Sequence, residues 1–376
     1  MRILHVSSAM AIGGGEIHLL DLCRALSARG HHVQLVVRPN SPLPDRLGST
    51  PVTIHQLPLR NAIDLLSARA LSRMIRQHQI DIIHGHVARD YPLCLLAGKW
   101  AGRGRVVLTR HHYLPLRVNW LNRALFRRVG KVIAVSESVR RRLIASLPVS
   151  ADRIVTIPNW IDPDDYRQLP PSEQARRRLG LNAPLIVGMV GQMTPAKGQE
   201  EFLRAAALVS ASREDVAFLL VGSEQGGRRF TSRCQRLARQ LGIAHRVTFL
   251  DHIEDLSWVW SALTVLVVPS WQEAFSMVLI QAMAAGLPVI ATRAGGPAEI
   301  VTHRVTGWLV PPREIQSLAE AIALLLDDAP LRERLGRAAR AEVHERFDRS
   351  RIIARIESVY RQVMIESRDS VRSPAS

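Results

Sequence analysis

At 376 residues the chain has room for two domains that each bury a core, and 47% hydrophobic content suits a globular protein. No run of about 20 apolar residues exists and Arg2 leads straight into a strand, so neither a spanning helix nor a signal peptide is expected, and the cytoplasm is the expected compartment. The net charge of +17 excludes an acidic solvating chain and calls for an anionic partner.

That charge is uneven. Residues 1–165 hold 23 Lys plus Arg against 11 Asp plus Glu. Between Arg103 and Arg142 eleven basic residues face one acid, Glu137, interleaved with Trp120, Leu121, Leu125, Phe126 and Val129. Cys23, Cys94 and Cys234 are far apart in helical stretches, so packing rather than a disulfide or metal is expected of them.

In chain order, RILHVS at 2–7 reads as a strand, and Gly13-Gly14-Gly15-Glu16 opens a helix running to about Arg29. The spacing is not the dinucleotide fingerprint, and the glycines suit either a tight turn or a loop admitting a ligand to backbone amides. Further strands read at 32–37, 52–57, 81–86, 105–109, 131–136 and 153–158, with helices at 64–78, 92–101 and 136–147 between several of them. This alternation is α/β and implies a parallel, doubly wound sheet. His111 follows the strand RVVLTR, either as a strand-end residue or as a side chain facing a ligand. Residues 118–130 read either as a helix lying on anionic lipid, with Trp120 and Phe126 dipping in, or as a core-facing helix whose Arg117, Arg123, Arg127 and Arg128 are solvated. Asp162-Pro-Asp164-Asp165 reads as a linker.

A second set begins with an apolar strand at 185–190 and the loop Gly191-Gln192 to Lys197-Gly198 before a helix. Only three lysines occur against 47 arginines, which makes Lys197 informative. Strands follow at 216–221 and 246–250. An apolar run at 263–268 then breaks at Pro269; Ser276 is placed to cap the next helix, which stops at Gly286-Leu287-Pro288 before a strand at 288–291 and Gly295-Gly296. Such strand, loop, helix, strand units bind ligands at the carboxyl ends of their strands. Helices at 315–326, 331–345 and 350–366 close the chain, and 367–376 reads as a disordered tail.

The stretch Glu273-Ala-Phe-Ser-Met-Val-Leu-Ile-Gln281 followed by AMAAGLPVIA, with Pro158-Asn-Trp-Ile-Asp162, Gly295-Gly-Pro-Ala-Glu-Ile-Val301 and Thr306-Gly-Trp-Leu-Val-Pro-Pro312, resembles retaining glycosyltransferases of family four. The resemblance covers nearly the whole chain. It implies the GT-B architecture: two Rossmann-like domains facing a cleft, an acceptor-side domain at 1–165, a nucleotide-sugar domain at 166–349, and a helix at 350–366 crossing back to the first. It implies that Lys197 holds the diphosphate, helped by the helix start at Ser276 and Met277, that Glu273 bonds hydroxyls of the donor sugar, and that Gln281 reaches the ribose. It implies further that His111 contacts the sugar or leaving phosphate and that the loop of Gly14 and Gly15 lines the cleft facing the transferred sugar and the acceptor. Gln192 stands where the family has Arg and Gln281 where it has a second Glu, so donor affinity is in question more than fold; Arg293, Arg228 or Arg229 are candidates to supply the missing charge.

The expected activity is transfer of a sugar from a nucleotide diphosphate sugar to an acceptor hydroxyl with retention, in bacterial envelope polysaccharide, lipopolysaccharide or glycolipid synthesis. No cofactor, metal or nucleic acid is expected; a glycan or lipid-linked acceptor is, with an anionic membrane surface met through residues 103–142. Two other readings are a nucleotide-sugar epimerase or hydrolase on this fold and a non-enzymatic basic binding protein.

Overall fold

A computed structural model of the protein describes residues 1–114 and 120–372. The chain forms two compact units, one of Met1–Asn159 together with the chain from Ser350 on, the other of Trp160–Arg349.

The first unit is a sheet of seven parallel strands: β1 Arg2–Ser7, β2 His32–Val37, β3 Thr53–Gln56, β4 Ile82–Gly85, β5 Arg105–Arg110, β6 Lys131–Ala134 and β7 Ile154–Thr156, in the order β3-β2-β1-β4-β5-β6-β7. β1, β4 and β6 are almost wholly buried, as expected of strands covered on both faces. The strand order reverses between β1 and β4, so the carboxyl ends of these two neighbours open the crevice where such sheets take ligands.

The second unit repeats the plan with six strands, β8 Leu185–Val190, β9 Val216–Val221, β10 Val247–Leu250, β11 Val265–Val268, β12 Val289–Thr292 and β13 Trp308–Val310, ordered β10-β9-β8-β11-β12-β13. Here the reversal lies between β8 and β11. One core, with Phe202, Phe218 and Leu325, covers one face, and another, with Leu266, Met283 and Phe347, covers the other. The α/β reading of two doubly wound parallel sheets therefore holds.

The closing helix runs Arg349–Arg372, beyond the expected end at Glu366; no glycine or proline interrupts the sequence until Pro374, so nothing stops its propagation. The last four residues of the expected tail lie outside the described residues. The helix belongs to the first unit: Glu357, 4% exposed, accepts hydrogen bonds from Arg29 Nε (3.0 Å) and contacts His31 Nε2 (2.8 Å). Gly130 packs so closely on Val363 that a Cβ there would approach it to 2.5 Å.

The short helix Trp120–Phe126 corrects part of the lipid-facing reading. Phe126 and Val129 are 2% and 0% exposed and sit in the core, so Phe126 has no surface to offer a bilayer. Arg117 and Val118 lie outside the described residues, as do the side chains of Trp120 and Leu121.

Candidate active site

In the second unit, β8 is followed by the turn Pro195–Lys197 and the helix Gln199–Ser210, and β11 by the loop 269–276 and the helix Met277–Ala284. Because β8 and β11 are neighbours at the strand reversal, the two loops meet. The Trp271 amide donates to the Ala196 carbonyl at 2.9 Å, and Lys197 Nζ donates to Glu273 Oε1 at 2.6 Å. Lys197 is 30% exposed and Glu273 13% at the side chain, so the pair is half-buried with one open side.

The glycines hold this arrangement. Gly198 has φ +84° and a Cβ on it would come 2.3 Å from the Pro269 carbonyl oxygen. Gly295 has φ +59° and a Cβ would sit 2.3 Å from the Glu273 carbonyl oxygen, to which the Gly296 amide donates at 2.8 Å. Only glycine permits both the left-handed backbone and the close approach that fixes Glu273.

The loop also carries polar atoms that its own fold leaves unused. Ser270 Oγ, Glu273 Oε2 and Ser276 Oγ are buried with no hydrogen-bond partner among the described residues. Ser276 occupies the N-cap of Met277–Ala284, as its position in the sequence suggests, but its hydroxyl makes no capping bond, so the first amides of that helix lack a side-chain partner. An unsatisfied buried polar group costs about 1–3 kcal/mol, a cost tolerated where the group serves a ligand. Together these atoms offer an ammonium with spare donors, a carboxylate oxygen, two hydroxyls and helix-end amides, a set that suits an anion joined to a polyol.

The remaining expected contacts are less concentrated. Gln192 is exposed, and its carbonyl accepts from Gln199 Nε2 at 2.9 Å. Met277 is half-buried at the helix start, and Gln281, one turn on, is hydrogen-bonded to the Tyr166 hydroxyl. Of the candidate replacement cations, Arg228 is paired with Asp251 and Arg293 is exposed.

In the first unit, Gly14 and Gly15 begin the helix Gly14–Ala28 after β1, and the Gly13 amide donates to Glu16 Oε2 at 3.0 Å. Gly15 lies against the ring of His111, where a Cβ would be 3.3 Å from Cγ, so the glycine loop and His111 share one place. Both His111 nitrogens are buried without a partner among the described residues, and burial, helped by the charges of His112 and Arg110, pushes its pKa down to about 3. At neutral pH the ring is an uncharged hydrogen-bonding group.

Behind it stands an array legible in the sequence only as polar residues inside apolar strands. His5 Nδ1 and His86 Nε2 are 3.0 Å apart, His84 Nδ1 is 2.6 Å from Tyr360 Oη, and His84 Nε2 is 2.7 Å from Thr109 Oγ1. The His86 and His111 rings stack at 6.1 Å, and His18 meets His111 edge-on at 4.8 Å. Burial lowers the pKa of His5 to about 3 and those of His18, His84 and His86 well below the usual value. One nitrogen from each of His5, His84 and His86 falls within 4.8 Å of the others, a spacing a metal ion would accept. Both nitrogens of His84 are taken by hydroxyls, and His5 Nδ1 bonds His86 Nε2, while His5 Nε2 and His86 Nδ1 have no partner among the described residues; the bonds that are made brace β1, β4 and β5 against the closing helix.

Comparison with known proteins shows which proteins this chain is similar to. Residues 12–165 match the family described as Glycosyltransferase Family 4, and residues 171–342 that described as Glycosyl transferases group 1. The Anabaena Alr3699/HepE structure in complex with UDP and glucose superposes with a TM-score of 0.83 at 25% identity, over 95% of this chain and 98% of that one. The chain is a GT-B glycosyltransferase. The transferase is also 27% identical, over 96% of both chains, to N-acetyl-alpha-D-glucosaminyl L-malate synthase of Bacillus anthracis. It shares 29% identity with the GDP-mannose-dependent alpha-(1-6)-phosphatidylinositol monomannoside mannosyltransferase of Mycobacterium tuberculosis, over 72% of this chain and 73% of that one. With an enzyme established, the non-enzymatic reading falls. No helix among the described residues is long and apolar enough to cross a membrane.

Proposed function

We propose that the transferase moves a sugar from a nucleotide diphosphate sugar to an acceptor hydroxyl with retention of anomeric configuration, in bacterial envelope polysaccharide, lipopolysaccharide or glycolipid synthesis on the cytoplasmic side of the membrane. The observation that carries this reading is the Lys197–Glu273 pair beside the uncapped start of Met277–Ala284. Cleavage of the bond between the anomeric carbon and the phosphate oxygen leaves an oxocarbenium-like sugar and a diphosphate whose charge grows, so stabilising the leaving group is the main task. Lys197 and the amides at Ser276 and Met277 take that role, with Gln192 donating neutral hydrogen bonds to the phosphates. Glu273 Oε2 accepts from hydroxyls of the sugar and thereby fixes which sugar face meets the acceptor. Gln281 bonds the ribose, with Tyr166 orienting its amide. In the first unit His111 supplies a neutral hydrogen bond to the sugar or departing phosphate, and Gly14 and Gly15 let the chain approach it closely.

No carboxylate base is assigned; the acceptor proton leaves with the departing diphosphate. Neither a metal nor another cofactor is part of the scheme.

Support for the donor class comes from the UDP and glucose seen in the Anabaena structure, and for a lipid acceptor from the phosphatidylinositol mannoside named for the mycobacterial relative. The test is incubation with UDP-, GDP- and ADP-sugars, with and without glycan and lipid acceptors, followed by NMR of the new linkage. A product of retained configuration that forms only with acceptor supports the proposal. Sugar release or epimerisation at the same rate without acceptor would establish the hydrolase or epimerase instead, and an inverted linkage would overturn retention.

A further inference from the structure

The loop after β3 and the helix Leu65–Gln77 place Ile63, Leu65 and Leu66 in solvent at 73%, 58% and 74% exposure. No other large apolar residues of the described chain stand so close together and so open. They are not the fringe of a loose loop. Leu59 is fully buried and its amide donates to Ser67 Oγ at 3.1 Å; the Arg60 amide donates to Asp64 Oδ2 at 3.0 Å, the Ile63 amide to Asn61 Oδ1 at 2.9 Å, and the Ser67 amide to Asp64 Oδ1 at 3.1 Å. The backbone of the tip is thus tied down while its three apolar side chains point away from the core formed by Ala68, Leu71 and Ile75.

The charge around the tip has one sign. From Arg46 to Ile80 there are five arginines and a single acid, Asp64, whose carboxylate is 9% exposed and spent on the cap just described. Arg69 and Arg73 are exposed, follow Leu65 at successive helical turns, and have no ion-pair partner among the described residues. Arg60 is exposed at the loop's start.

We propose that this tip docks the transferase on an anionic lipid bilayer, with Ile63, Leu65 and Leu66 entering the headgroup boundary and Arg60, Arg69 and Arg73 meeting lipid phosphates. Exposed apolar side chains alone would suit any partner. The exposed arginines beside them, of which Arg69 and Arg73 have no ion-pair partner among the described residues, in a stretch whose one acid is already used, select an anionic surface. Geometry adds a reason: β3, β2 and β1 are parallel neighbours, so the tip and the Gly13–Gly15 loop leave the same edge of the sheet. A bilayer under the tip would hold a lipid-borne acceptor beside the sheet edge that carries the Gly13–Gly15 loop, on the unit that the resemblance makes the acceptor side. The proposal deepens that reading, but its first test needs no substrate.

The full chain is sedimented with vesicles of phosphatidylglycerol and phosphatidylcholine, or of phosphatidylcholine alone, at low and high salt. The anionic vesicles should carry it down, and salt should release it. The I63S/L65S/L66S and R69E/R73E variants, whose changes are all at the surface, should each partition about tenfold less or weaker while keeping the wild-type circular dichroism spectrum and turnover of a soluble acceptor. R127E/R128E should partition as wild type. Failure of the wild type to sediment, or sedimentation of both tip variants equal to that of the wild type, would overturn the proposal. Release by R127E/R128E alone would move docking to the segment around residue 127, and a dimer that the serine variant converts to monomer would show that a second copy covers the tip. Binding without transfer would leave docking intact and sink only the acceptor reading.

Discussion

Lys197 Nζ and Glu273 Oε1 lie 2.6 Å apart although 76 residues separate them, because each sits on the first loop after one of two adjacent strands at which the sheet reverses its order. An ion pair this open contributes little to folding, roughly 1 kcal/mol or less. Its worth lies in what it leaves free: the remaining ammonium donors of Lys197 and the unpartnered Oε2 of Glu273.

Lys197→Ala and Glu273→Ala should therefore separate catalysis from stability. We expect kcat to fall roughly 100-fold or more in each, with thermal midpoints close to wild type. Steady-state kinetics beside calorimetry checks this, and near-normal turnover in either variant would remove that residue from the mechanism.

Gly295→Ala should damage the same loop through the backbone. Its φ of +59° and the 2.3 Å approach of the new Cβ to the Glu273 carbonyl oxygen force the loop to shift, at a cost of about 1–3 kcal/mol. Gly30→Ala, with φ +81° but nothing within 4 Å, is the control, carrying only the backbone strain. Activity should drop in the first and not the second. Equal loss of activity would show that the clamp on Glu273 is irrelevant.

The buried histidines predict acid sensitivity. In the folded state His5 and His111 have pKa values pushed down to about 3 by burial, against 6.5 when unfolded. Below pH 6.5 the unfolded chain takes up protons that the folded one refuses. The stability these groups provide is complete above pH 6.5 and is lost as pH falls toward 3, by up to about 1.4 kcal/mol per pH unit for each histidine. The thermal midpoint should fall steeply over that window, and His5→Gln should flatten the slope. His111 should contribute no limb to the pH–rate profile near 6.5; a limb there that vanishes in His111→Gln would contradict its neutral role.

Tyr360→Phe should loosen the brace between the closing helix and the first sheet. It removes the hydroxyl 2.6 Å from His84 Nδ1 and leaves a buried nitrogen without a partner, a loss of about 1–3 kcal/mol. Chemical denaturation of this variant measures it, and an unchanged midpoint would show that the contact is not stabilising.

The sequence by itself determined the two sheets, since uninterrupted apolar runs such as Val265–Val268 are buried wherever they fold, and punctuation by glycine and proline marks where each run ends. It also marked Lys197, Glu273 and His111, through their place in motifs that resemble the family and in segments that follow strands, where an α/β sheet opens toward ligands. Local pattern says nothing about which strands become neighbours, so only the tertiary structure could decide that the loops after β8 and β11 meet, that His5, His84 and His86 converge from two strands behind His111, and that Tyr360 reaches them from the chain's far end. The same limit governs surfaces. A run of arginines and apolar residues around Phe126 and another around Leu66 look alike in one dimension, and only packing distinguishes the side chain sealed in a core from the one left in water.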